Sequence, residues 1–246
     1  MSTVGPEDIA PATLQGVAAL TRTLSEDGSL TDPVCAYLFG SRANGTWREG
    51  SDIDVCYVVA QSGIWRRRCL SIADDLFDVT IYSIDRLGDV ARHCVMTANP
   101  HALLAISSGV PVLDPYGKAH HFRALFREAF DEGPAKSPQD VFALRVQLSA
   151  CLADIRSPKS EAFLHSAVLA TTAPLLRLKF RSSNLWCYTG PLALPRLEEA
   201  FPAFSQRFAS AVAAAIDSRP EMFIDLIEQE LDLAGGRAWD GYRSDR

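Results

Sequence analysis

Apolar side chains recur at helical spacing over residues 7–25, where Ile9, Leu14, Val17, Leu20 and Leu24 share one face, and this predicts a first helix. Asp32-Pro33 interrupts the pattern. The apolar run Val34–Phe39 (VCAYLF) then ends in glycine, as a short buried strand does. A polar stretch over 40–52 leads into Ile53–Ala60 (IDVCYVVA), a second strand. Residues 64–76 read as a helix carrying the triplet Arg66-Arg67-Arg68. Phe77–Ser83 (FDVTIYS) alternates and is β-branched, which predicts a third strand. From residue 85 the period becomes helical, over 85–97, 101–108, 118–131, 139–156, 161–181, 196–217 and 221–234, with breaks at glycine and proline. Only Val112-Leu113 hints at a further short strand. The order predicts an α+β chain: a small sheet with flanking helices over residues 1–115, then an all-α helical bundle over 116–246, with breaks near 109–117 and 133–138 both open as the boundary.

Composition narrows the class. The chain has 246 residues, of which 48% are hydrophobic and 22% charged, so it is globular rather than disordered or fibrous. No run approaches 18 consecutive apolar residues, so no membrane span is expected. The opening MSTVGPEDIAP is acidic where an export signal is basic, which makes the cytoplasm the expected compartment. The cysteines Cys35, Cys56, Cys69, Cys94, Cys151 and Cys187 form no CxxC pair, so reduced, mostly buried thiols are expected. Net charge is −6, and its placement is uneven. Residues 1–115 carry 8 basic and 14 acidic side chains, and the remainder carries 16 of each. Nucleic acid is therefore not the expected partner. If the acidic half handles a polyanion, a metal ion is the simplest source of positive charge.

The chemistry concentrates in Leu38–Val55, LFGSRANGTWREGSDIDV. A strand ends at Phe39, and Gly40-Ser41 follows. Glycine allows a close backbone approach, serine suits a helix cap, and free N–H groups at a helix start cradle phosphate. Gly45 and Gly50 let the chain turn back into the second strand. There Asp52 and Asp54 stand two residues apart, the spacing that puts both carboxylates on one face. Adjacent carboxylates at an apolar sheet edge repel one another, and Mg²⁺ resolves the conflict because it takes carboxylate and phosphate oxygens together. Asp78 on the third strand joins them if the two strands are neighbours. Three acids beside a phosphate cradle describe phosphoryl or nucleotidyl transfer.

G-S-R-A-x-G followed by S-D-I-D-V on a strand resembles the signature of the nucleotidyltransferase superfamily related to DNA polymerase β. The later acid in FDVTIY is similar to that family's third carboxylate, and about 50 residues carry the resemblance. With its helical second half, the chain is most similar to bacterial aminoglycoside nucleotidyltransferases and their relatives. The resemblance implies a nucleotidyltransferase-type mixed sheet in the catalytic domain 1–115, with 116–246 on the acceptor side. It implies that Gly40 and Ser41 hold the β- and γ-phosphates of a nucleoside triphosphate, ATP being the expected one, with Arg42 as a further nucleotide-binding or fold-supporting residue. It also implies that Asp52, Asp54 and Asp78 coordinate two Mg²⁺ ions and are the catalytic residues, Asp78 taking the proton from an acceptor hydroxyl. NMP would pass to a small hydroxylated molecule with release of pyrophosphate.

One departure accompanies the resemblance. Such relatives often place a lysine after W-x-x-x-G, where it meets the triphosphate, but here Trp186–Pro191 reads WCYTGP. Arg177, Lys179 and Arg181 are the nearest preceding cations. Two other readings stay open: NMP transfer to a protein side chain, as in toxin–antitoxin relatives, and a non-catalytic nucleotide-binding module on the same fold. The remaining features carry structural expectations. The arginine triplet reads as a solvated helix face, His120-His121 as an amphipathic helix start, and Trp186, Tyr188, Phe201 and Phe204 as core.

Overall fold

The computed structural model describes residues 5–238. Helix α1 (Pro11–Glu26) opens with proline at its first turn and buries Thr13, Val17, Leu20 and Leu24. Strand β1 (Pro33–Phe39) follows, then the short helix α2 (Gly40–Asn44) and strand β2 (Ile53–Val59). Next come β3 (Trp65–Ile72) and β4 (Asp75–Ser83). Helices α3 (Leu87–Thr97) and α4 (His101–Ser107) lead to β5 (Val110–Leu113) and α5 (Ala119–Glu132). The five strands form one mixed sheet in the order β3-β4-β2-β1-β5. The β2–β4 pair is parallel, and the other three pairs are antiparallel.

The sheet has two unlike faces because side chains alternate along each strand. One face, with Ile53, Val55, Tyr57, Phe77, Val79 and Ile81, packs into a core with Val17, Leu20 and Leu24 of α1. Thr21 of α1 shares a 2.7 Å hydrogen bond with the Tyr57 hydroxyl on that side. On the opposite face the Tyr37 hydroxyl donates to the Ala119 carbonyl of α5 at 2.8 Å. There Phe39 meets His101 of α4 edge-on, and Trp65 meets His93 of α3. A sheet buried on both sides explains why β1 and β2 read as continuous apolar runs.

The helix expected over 64–76 is instead strand β3, and this is the main correction to the sequence reading. All eight of its residues pair antiparallel with β4, from Trp65 opposite Tyr82 to Ile72 opposite Asp75. Ala73 turns the hairpin at φ 53°. Only alternate positions lean on the core, where Leu70 and Ile72 pack partly buried. The arginines lie on an edge strand, where charge blunts further pairing. Their triplet hides the period of two that the apolar residues alone reveal. The third expected strand is therefore the fourth in chain order, and Asp78 lies inside it rather than at its start.

The chain divides into two units, residues 1–132 and 133–246. Helix α5, which lies beyond residue 115, packs with α3 and α4 and so belongs to the first unit. The second unit is all helical: α6 (Pro138–Arg156), α7 (Glu161–Ser182), α8 (Ala193–Ala200), α9 (Pro202–Ile216) and α10 (Glu221–Leu233). The Ser137 and Ser160 hydroxyls cap α6 and α7, accepting from the Asp140 and Phe163 amides at 3.2 Å. The single helix expected over 196–217 is two helices, broken at Phe201 (φ −142°, ψ 64°). A residue before proline is driven from the helical region, and Pro202 then starts α9 with the fixed φ that a first turn needs. No described helix is long and apolar enough to cross a membrane.

Candidate active site

Asp54 is the second residue of β2, and the parallel register places it beside Asp78 of β4. Phe39, the last residue of β1, is its neighbour on the other side. Asp52 lies two positions before Asp54, just outside the strand. Oxygens of Asp52, Asp54 and Asp78 come within 4.8 Å of one another. All three acids sit on the sheet face that carries α3–α5. The sequence separates Asp54 from Asp78 by 24 positions, and the β2–β4 ladder closes that gap.

Gly40 sits directly against the cluster. Its φ is +71°, and a Cβ there would lie 2.0 Å from Asp54 Oδ2, well inside contact distance. The backbone conformation and the carboxylate together exclude any side chain at this position. Helix α2 starts at Gly40 with Phe39 as its cap residue and no capping side chain, so Ser41 lies within the first turn and does not cap it. Gly45 ends the helix in the left-handed conformation, φ 69°, with its amide donating to the Ser41 carbonyl.

The loop from α2 to β2 folds around Arg42. Its guanidinium stacks on the Trp47 ring at 4.1 Å and donates through Nη2 to the Ser51 carbonyl at 3.3 Å. Arg48 and Ser51 close the turn with two bonds of 2.9 Å. Arg42 is thus engaged in holding the loop that brings Asp52 to the cluster.

Electrostatics bears on the middle acid most. Burial pushes Asp54 up to about 7, the Asp52 and Asp78 charges push the same way, and only Arg67 opposes them. Arg67 of β3 reaches across to Asp78 with Nε on Oδ1 at 2.8 Å and Nη2 on Oδ2 at 2.5 Å. This bidentate pair was not legible in the sequence, where the triplet read as a helix face. Strand alternation splits the triplet: Arg68 turns to the other face and binds Asp27 and Ser29. A strand reading would have put Arg67 on the face of Asp78. His101, at the start of α4, lies on the same side, and desolvation holds it below the ordinary histidine value. The Cys69 thiol is exposed and lies 4.0 Å from Asp78 Oδ1.

Three carboxylates with oxygens this close are a hard, all-oxygen donor set, the kind that suits Mg²⁺ or Mn²⁺ rather than a thiophilic metal. The raised Asp54 fits as well, because a divalent cation would remove the repulsion that raises it.

His120 and His121 are exposed at the start of α5, as an amphipathic helix start requires. Trp186 and Phe204 are buried in the second unit, and Tyr188 and Phe201 are half-buried. Lys179 pairs with buried Glu230 at 2.9 and 3.1 Å beneath the Phe201 and Phe204 rings. Arg181 is buried on Asp140 and the Ala135 carbonyl. Of the three candidate cations, two are thereby committed to the helical core. Arg177 instead lines an open cavity of about 400 Å³ with Asp140 and Gln147. Pro191 falls in the short helical turn Gly190–Leu192. The cysteines are free thiols, four of them buried.

Residues 21–91 match the family model described as polymerase beta, nucleotidyltransferase, a span that includes α2, β2, β3, β4 and all three acids. No curated protein matches the sequence. One solved structure, a nucleotidyltransferase-like protein from Exiguobacterium sibiricum 255-15, aligns over 89% of this chain and 76% of its own at 13% identity, with a TM-score of 0.47.

Proposed function

We propose that this chain, whose residues 21–91 match the polymerase beta nucleotidyltransferase family model, is a nucleotidyltransferase that moves NMP from a nucleoside triphosphate to the hydroxyl of a small molecule, with Mg²⁺ at the three acids. The observation that carries this reading is the convergence of Asp52, Asp54 and Asp78 within 4.8 Å, directly against a glycine that admits no side chain.

Each element then has a task. Asp52 and Asp54 would hold the cation pair, with Asp78 contributing to one of them. When bound, Mg²⁺ supplies positive charge to the triphosphate oxygens and to the charge that develops at the α-phosphorus. The backbone of Gly40 and Ser41, bare of bulk at the first position, would receive the β- and γ-phosphates. Arg42 keeps the α2–β2 loop folded so that Asp52 stays in reach. Asp78 would accept the proton of the attacking acceptor hydroxyl. ATP is the donor to test first, and the acceptor is a small hydroxylated molecule rather than a long polyanion, given the acidic first half of the chain.

The test is pyrophosphate release from each nucleoside triphosphate with Mg²⁺ and a panel of hydroxylated acceptors. Wild-type chain is expected to release pyrophosphate only when an acceptor is present, and Asp54→Asn is expected to abolish it. Turnover that survives Asp54→Asn would remove the site assignment. Label from ATP found on a protein band, and none on a small molecule, would move the acceptor to a protein side chain.

A further inference from the structure

Arg67 holds both oxygens of a carboxylate that the proposed function gives to a metal. Its two contacts, 2.8 Å on Oδ1 and 2.5 Å on Oδ2, leave Asp78 no vacant oxygen on the guanidinium side. A divalent cation of the Mg²⁺ kind needs a carboxylate oxygen at about 2.0–2.1 Å, so two cations would crowd one acceptor group. A guanidinium does not lose its proton in a protein, so it cannot make room by becoming neutral. Each Asp78 oxygen keeps a second lone pair, so what an entering metal meets is the guanidinium's charge at contact range, and that repulsion is relieved only when Arg67 moves.

Exposure says which partner moves. The Asp78 side chain is 12% exposed and fixed inside β4, whereas the Arg67 side chain is 67% exposed on the edge strand β3. The carboxylate stays, and the guanidinium has water to move into. Among the described residues no other lysine or arginine forms an ion pair with any of the three acids. Arg67 is therefore the cation that makes a cluster of three close carboxylates tolerable before any metal arrives.

We propose that Arg67 is an internal countercation that occupies Asp78 in the metal-free protein and is displaced from it by the entering divalent cation, so that it sets the metal concentration at which the site fills. The proposal rests on the metal reading of the three acids given above. Arg67 is a positioning residue in this account: it acts on the metal through Asp78. Filling requires the unpaired state of Asp78, and apparent metal affinity falls by the fraction of molecules in that state.

The experiment is direct Mn²⁺ binding to the full chain without nucleotide, read as free Mn²⁺ by electron paramagnetic resonance well above neutral pH. Arg67→Met is expected to bind Mn²⁺ about tenfold tighter than wild type, because removing a nearby positive charge and a competing ligand act in the same direction. Arg67→Lys is expected to fall between the two, since an ammonium makes one contact and frees the other oxygen. Adding Asp78→Asn to Arg67→Met is expected to erase the gain. A merely structural arginine would give the opposite sign, weaker binding in Arg67→Met. If wild type binds Mn²⁺ and Asp54→Asn does not, while Arg67→Met is equal to or weaker than wild type, the countercation proposal fails and the metal reading stands. If neither wild type nor any arginine variant binds Mn²⁺, both fail together. Should Arg67→Met not fold, Arg67→Lys decides: tighter binding than wild type supports the proposal, and equal or weaker binding overturns it.

Discussion

At the scale of single residues, the site is governed by how Gly40, Asp54 and Asp78 share one small volume. Gly40 is legible in the sequence as a turn glycine, but the reason only glycine fits is tertiary: a Cβ would collide with a side chain 14 positions later. The same crowding predicts a pH effect. An aspartate titrates near 4 in an unfolded chain and Asp54 titrates at about 7 in the folded one, so the folded state holds the proton more tightly. Its contribution to stability is complete below pH 4, is lost as pH rises to 7, and stays lost above. The metal-free chain should therefore lose stability between about pH 4 and pH 7 by up to about 4 kcal/mol from this group, an upper bound from 1.36 kcal/mol per unit, and no more above pH 7. Asp54→Asn should flatten that part of the profile, measured as thermal unfolding midpoint against pH in chelator. If wild type and Asp54→Asn have parallel profiles, the carboxylate is not strained as described.

At the scale of elements, one boundary turned on a neighbour that local pattern does not show, and another on a local signal that a longer period hid. Strand β3 contains an arginine triplet and reads as a helix until β4 offers eight residues to pair with. The α8–α9 break is local, since Phe201-Pro202 carries its own cause, but one long amphipathic period concealed it. In the second unit, the Lys179–Glu230 pair lies under two phenylalanine rings, and its physics is that of a buried ion pair. Removing one partner leaves the other charge buried alone. Lys179→Met should thus destabilise the chain by about 3 kcal/mol, while Lys179→Met with Glu230→Leu should recover most of the loss, read from urea unfolding. Equal unfolding of wild type and Lys179→Met would leave Lys179 free for another role. By contrast, the pairs at Arg86, Arg127 and Arg219 are exposed on both sides and contribute little.

At the scale of the whole molecule, the charge distribution and the site make one statement. The first 115 residues hold a net excess of six acids, and three acids from that stretch converge within 4.8 Å. A triphosphate brought to such a surface needs cations with it. Nucleoside triphosphate with Mg²⁺ should raise the thermal midpoint by a few degrees, corresponding to about 2.7 kcal/mol at 100 times Kd. The shift should vanish in chelator and in Asp54→Asn, and a shift that persists without divalent cation would count against the metal. The helical composition of the second half, the strands β1, β2 and β4, and the G-S…D-x-D motif were all readable from residue order, because each rests on local periodicity or on spacing within about 15 positions. The β3 strand, the Arg67–Asp78 pair and the burial of Lys179 and Arg181 on partners from other segments were not. Each of those depends on which distant segment lies alongside. Hydrophobic pattern says that a face will be buried, and only the folded chain says against what.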